Sequence, residues 1–192
     1  MLFLILCTLY HVFAAELSQP IHNVIEELDV KVTMRDGIML STNIFRPDAE
    51  GKFPALLVRT PYGNGGEGHS SGHYFAQRGF AVAIQDTRGR FESEGFFYPV
   101  INETEDGNDT HKWIVRQPWC NGKIGTMGGS YVGMTQWMPA LSGSPNLAAM
   151  FPSVPYTENY TVSYQNGACR LRLFTEWYAM MTAPYGFDRK KF

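Results

Sequence analysis

Apolar positions along this chain first alternate and then run together. From Leu28 to Met34, and again from Ile38 to Phe45, hydrophobic and polar residues alternate with the two-residue period of a strand covered on one face. Asp36-Gly37 lies between the two stretches and suits a tight turn, so the region predicts a hairpin. "FPALLVRTPYG" and "FAVAIQDTRG" show little alternation, as strands covered on both faces do. Between them, "NGGEGHSSGH" is Gly/Ser-rich and predicts a loop, and "HYFAQRG" predicts a short helix ending at Gly79. A second helix is predicted from about Glu105 to Gln117, with Trp113 and Ile114 facing inward and Pro118 stopping it. "GKIGTMG" reads as a short strand, "SYVGMTQWMPALSG" as a helix start and "NLAAMFPSV" as a further apolar strand. Beyond Pro155 the chain is aromatic-rich and partly helical, with no strand pattern that returns to a sheet.

A hairpin followed by alternating strands and helices implies an α/β fold. The sheet is mostly parallel, has helices on both faces and carries the antiparallel hairpin at its edge. This is the arrangement of the N-terminal half of an α/β-hydrolase fold, spanning residues 24–155. The 192 residues, 44% hydrophobic and 14% aromatic, suffice for one domain with a real core. A net charge of −2 gives no reason to expect nucleic acid or an anionic membrane surface as a partner.

The apolar run from Leu2 to Ala15 is shorter than the roughly 20 residues of a membrane-spanning helix. It fits a signal peptide, residues 1–15, with small residues before the cut, although no Lys or Arg precedes it. A secreted or extracytoplasmic location follows as an expectation. The sequons at Asn102, Asn108 and Asn159 are then glycosylation candidates. Loss of Cys7 with the leader would leave Cys120 and Cys169, which could pair; two ordinary thiols are the plainer reading.

The chemistry concentrates at Gly128-Gly129-Ser130-Tyr131-Val132-Gly133, between a strand and a helix. A serine held in a strained turn at such a junction needs small neighbours, and the backbone N–H after it points at a developing oxyanion. The usual second glycine stands one place late here, with Val132 in its position. The plainer alternative is a glycine-rich helix start that merely turns or binds an anion. A second oxyanion donor should come from the loop after the third strand, where Tyr62 stands; spacing alone favours a buried aromatic with its hydroxyl bonded. No His/Cys/Asp cluster shows metal-ligand spacing, so neither metal nor cofactor is expected.

The set "RTPYG", "GFAVAIQDTRGRFESEGFFYP", "EDGNDTHKWIVRQPWCNGKIGTMGGSYVGMTQW" and "ALSG" closely resembles the cocaine esterase and α-amino-acid ester hydrolase family. That group includes glutaryl-cephalosporin acylase-like proteins and X-Pro dipeptidyl-peptidases. The likeness covers about Val30 to Val154. It implies that Ser130 is the nucleophile and that the late glycine is normal. It also implies that the Tyr62 hydroxyl and the Tyr131 backbone N–H form the oxyanion hole, which reverses the plainer reading of Tyr62. The implied reaction is hydrolysis of small-molecule esters or amides, or of peptides, through an acyl-serine. For "QDTRG" the expectation is structural: Asp86 and Arg88 fixing a loop by hydrogen bonds.

The family's acid and histidine lie downstream of the serine, past a helical cap. Here all of His11, His22, His69, His73 and His111 precede Ser130, and His69 and His73 read as solvated loop residues. The acids after Ser130 are Glu158, Glu176 and Asp188, the last too early for the family's acid. Residues 156–192 therefore read as the start of a cap, cut short before the acid and base. The expectation is that the chain alone is poorly soluble and inactive; the alternative is a non-catalytic hydrolase-like protein acting by binding.

Overall fold

Asp36 and Gly37 reverse the chain, and Gly37 takes φ 87°, a conformation that side-chain-bearing residues rarely adopt. The predicted hairpin forms around them: β1 (Val24–Thr33) pairs antiparallel with β2 (Met39–Pro47). The computed structural model describes residues 18–156 and 158–182; the predicted leader and its Cys7 lie outside them. Four further strands follow: β3 (Phe53–Thr60), β4 (Ala81–Asp86), β5 (Cys120–Gly129) and β6 (Leu147–Ser153). The sheet order is β1-β2-β4-β3-β5-β6, with β2 antiparallel to β4 and every later pairing parallel. This is the expected mostly parallel sheet with an antiparallel edge.

Helices α1 (Glu67–Ala76), α2 (Glu103–Val115) and α3 (Tyr131–Leu141) connect the strands. In β4, Val82 and Ile84 pack with Phe45 and Ala76, on the α1 side. Ala83 packs with Ile44, Leu57, Ile114 and Ile124, on the α2 side. The strand is buried on both faces, as its unbroken apolar run predicts.

Two helices start earlier than the sequence pattern suggests. α1 begins at Glu67, inside the Gly/Ser-rich run expected to be a loop. Tertiary packing outweighs weak propensity there: a Cβ on Gly72 would sit 2.4 Å from the Phe45 ring, so the helix backbone lies directly on the sheet. α2 starts at Glu103 because Glu103 and Asp106 are drawn inward by arginines, a placement that also suits the positive end of the helix dipole.

After Pro155 come a short helix α4 (Asn159–Ser163), a two-residue hairpin β7 (Tyr164–Gln165) with β8 (Ala168–Cys169), and α5 (Leu171–Thr182). The Glu158 carboxylate caps α4 by accepting from the Tyr160 and Thr161 amides. Arg90 donates to the Pro61 carbonyl at 2.8 Å and to the Met181 carbonyl, which ties the end of α5 to the exit of β3. Cys120 is buried, Cys169 is exposed and both are free thiols. Among the described residues, no helix is long and apolar enough to cross a membrane.

Candidate active site

Ser130 is the residue between β5 and α3, with φ 56° and ψ −123°. A non-glycine residue rarely holds such a conformation, and where it does the surroundings enforce it. Three backbone bonds do so here. Ser130 N–H donates to the Ser153 carbonyl at 2.9 Å, and its own carbonyl accepts from Gly133 at 3.0 Å and Met134 at 3.1 Å. The glycines supply clearance. A Cβ on Gly128 would lie 2.2 Å from Val132 Cγ1, and one on Gly133 would lie 3.1 Å from the Ser153 carbonyl oxygen. The bulk of Val132 is thus accommodated by Gly128. The outcome is an exposed serine at the head of a helix, presented above the C-terminal ends of parallel strands.

Ser130 shares a cavity of about 330 Å³ with Tyr62, Tyr131, Val100, Tyr156 and Trp177 among its walls. Tyr131 is the first residue of α3, where an amide has no acceptor within the helix. Its side chain anchors it: the ring is buried, the hydroxyl donates to Glu103 Oε1 at 2.9 Å and accepts from the Val100 N–H at 2.9 Å. Burial raises the pKa of the phenol far above its ordinary value, so it stays protonated and keeps donating.

Tyr62 is 39% exposed, not a sealed core aromatic. Its hydroxyl accepts from the Trp177 indole N–H at 3.3 Å, which leaves its own O–H free to donate to a ligand. Trp177 also stacks on Tyr131, with centroids 6.0 Å apart and planes 16° off parallel. Its contribution was not legible in advance; the aromatic richness after Pro155 was the one available signal.

A buried polar network supports the site from behind. Arg59 is 2% exposed and donates to Glu103 Oε2 at 2.6 Å and to Gln85 Oε1 at 2.9 Å. Arg88 of "QDTRG" fixes structure as expected: it donates to both Asp106 oxygens, at 2.6 and 3.0 Å, and reaches Asp36 in the hairpin turn. Asp86 departs from the expectation. Neither of its carboxylate oxygens has a hydrogen bond of good geometry, and burial raises its pKa to about 7 against the nearby Asn64 and Glu92 amides.

Among the described residues, no histidine lines the Ser130 cavity. His111 is buried, bonded through Nδ1 to Ser144 Oγ, and held neutral by burial, which lowers its pKa to about 4. His69 and His73 are part-exposed but not loop residues: both lie on α1, and each meets a different oxygen of Glu26, at 3.2 and 2.8 Å. With Glu26 they form a group whose ligand atoms lie within 4.8 Å of one another, which spacing along the sequence did not show. Of the sequon residues, Asn102 precedes α2 and Asn159 opens α4. Asn108 lies within α2 and donates to Ser142 Oγ, and its partner Thr110 is buried.

A six-stranded sheet of this order, with a strained serine between β5 and the following helix, defines the fold as the front part of an α/β hydrolase. The model of the X-Pro dipeptidyl-peptidase (S15) family matches residues 36–191, and the chain belongs to that family. It is 40% identical to the cocaine esterase of Rhodococcus sp. (strain MB1 Bresler) over 160 residues, which is 80% of this chain and 28% of the esterase. Among solved structures it resembles a CocE/NonD family hydrolase from Staphylococcus aureus, with TM-score 0.80 and 28% identity over 86% of this chain and 34% of the other. It also resembles an α-amino acid ester hydrolase, with TM-score 0.72 and 26% identity over 84% of this chain and 30% of that one. The chain spans about a third or less of the length of these relatives.

Proposed function

We propose that these residues carry the nucleophile and oxyanion hole of a serine hydrolase that cleaves esters or amides. The observation that carries the reading is the φ 56°, ψ −123° backbone of Ser130 at the rim of a cavity it shares with Tyr62 and Tyr131. Ser130 Oγ attacks the acyl carbonyl and the C–O bond forms, while the Oγ proton passes to the base that later returns it to the leaving group. Negative charge gathers on the carbonyl oxygen, and the Tyr131 N–H and Tyr62 O–H donate to it. Collapse expels the alcohol or amine, and water releases the acyl group by the same route. The aromatic cavity walls suit an acyl group with apolar surface; Rhodococcus cocaine esterase and the α-amino acid ester hydrolase, both esterases by name, are the relatives that support this choice. Secretion and glycosylation at Asn102, Asn108 or Asn159 are part of the same proposal.

In this reading the base and its carboxylate partner lie beyond the residues that line the cavity, since none of the described residues lining it is a histidine. The same observation favours a second reading, a hydrolase-like chain that binds without turnover. Reading the coding transcript through Phe192 and expressing the open frame separates the two. In the serine-hydrolase reading, a fluorophosphonate probe labels Ser130 of that product, Ser130→Ala abolishes labelling, and Tyr62→Phe slows ester turnover by about 10²-fold or more. A folded product in which Ser130 resists the probe overturns the enzyme reading.

A further inference from the structure

Away from Ser130, the structure gathers two imidazoles and a carboxylate, and we propose that Glu26, His69 and His73 form a binding site for a zinc-class divalent cation. The ligand atoms of the three side chains all lie within 4.8 Å of one another. His69 and His73 are four residues apart on α1, so both project from one face of the helix. Glu26 comes from β1 and pairs across the hairpin with Phe45, which puts both side chains on the same side of the sheet. One carboxylate serves both rings: Oε2 meets His69 Nε2 at 3.2 Å and Oε1 meets His73 Nε2 at 2.8 Å.

Zinc bound to nitrogen and oxygen at about 2.0–2.1 Å holds neighbouring ligand atoms about 3.4 Å apart in a tetrahedron. Both Glu26 contacts, at 3.2 and 2.8 Å, are shorter than that spacing, so modest side-chain rotation that spreads the ligands completes the geometry. The frame is stiff. The Phe45 ring, fully buried, props both imidazoles, with centroids 4.9 Å from His69 and 5.4 Å from His73. The bare Cα of Gly72 sits against the same ring and fixes the height of α1 above the strand. The three side chains are 33–41% exposed, so water can fill the remaining position.

In the metal-free site the imidazole Nε2–H groups donate to the carboxylate. With the cation bound, each ring presents its Nε2 lone pair and carries its proton on Nδ1. Two imidazoles and one carboxylate select zinc, nickel or copper over calcium or magnesium, which take oxygen ligands. The bound ion clips α1 to the outer strand of the hairpin.

The test is equilibrium dialysis of the full chain against zinc, with magnesium as control. The expected result is one zinc retained per chain, no magnesium, and a thermal midpoint that rises with zinc concentration. His69→Asn, His73→Asn and Glu26→Gln should each weaken binding about tenfold or more, while Cys169→Ser leaves it unchanged. Absence of bound zinc on the folded chain, or undiminished binding by the His69→Asn/His73→Asn double variant, overturns the proposal. Should the variants lose their fold, X-ray absorption on the zinc-loaded wild type decides: nitrogen and oxygen neighbours support the site, and any sulfur neighbour overturns it.

Discussion

β4 and β6 are both short apolar strands in one mostly parallel sheet, and their environments are opposite. All six residues of β4 are buried, with β2 and β3 on its flanks, α1 on one face and α2 on the other. None of the seven residues of β6 is buried; Phe151 is 75% exposed, and β5 is its one strand partner among the described residues. An apolar run records that a strand is made to be covered. Whether it is covered depends on what the rest of the chain places on it. The closed half therefore carries the stability of the molecule, and the open half carries the accessible serine and an aggregation hazard.

The contrast can be broken most severely from the closed side. Arg59→Met leaves the Glu103 carboxylate buried without its cation, and should lower unfolding free energy by about 3–5 kcal/mol in urea titrations. Gly128→Ala drives a methyl into Val132 at the junction of the two halves. It should cost about 1–3 kcal/mol, measured the same way, and should also blunt any Ser130 labelling. Asp86 sharpens the comparison through pH. Its carboxyl titrates near 7 when folded and near 3.8 when unfolded, so the folded state holds the proton more tightly. That stability is present in acid and is lost as pH rises from about 4 to 7; Asp86→Asn should flatten this part of the pH–stability curve. The smallest thermodynamic effect belongs to the open side. Phe151→Glu should change stability by no more than about 0.5 kcal/mol yet reduce light scattering on concentration, because the residue is solvated already. A large loss of stability there would mean that β6 is covered in solution.

Local features were legible in the sequence, and features built by distant residues were not. Alternation and Asp36-Gly37 gave the hairpin, unbroken apolar runs gave β3 and β4, and the glycines around Ser130 gave the turn. The start of α1 was read six residues late because its glycines and serines are weak helix formers; what holds them is the fit of Gly72 on Phe45, 27 positions away. That error also hid the histidine pair, since the four-residue spacing of His69 and His73 has meaning only on a helix. The exposure of β6 had no local signature at all. Arg59, Glu103 and Tyr131 carry no mutual spacing rule, so their network appears only in three dimensions. Tyr62 entered through family likeness, and its geometry adds the Trp177 bond as the reason its hydroxyl proton is free.

Tyr131 is held at its hydroxyl by Glu103 and Val100 while its amide heads α3 beside Ser130. For directed evolution of the proposed hydrolase, this divides the cavity into two kinds of position. Residue 131 admits little diversity, because phenylalanine would strand a buried carboxylate oxygen and an amide, and smaller residues would free the helix start. Val162, Leu173 and Phe174 line the same cavity from the segment after Pro155 and answer to no such anchor. A library that spares the first and randomises the second varies what the pocket accepts without disturbing the backbone that presents Ser130.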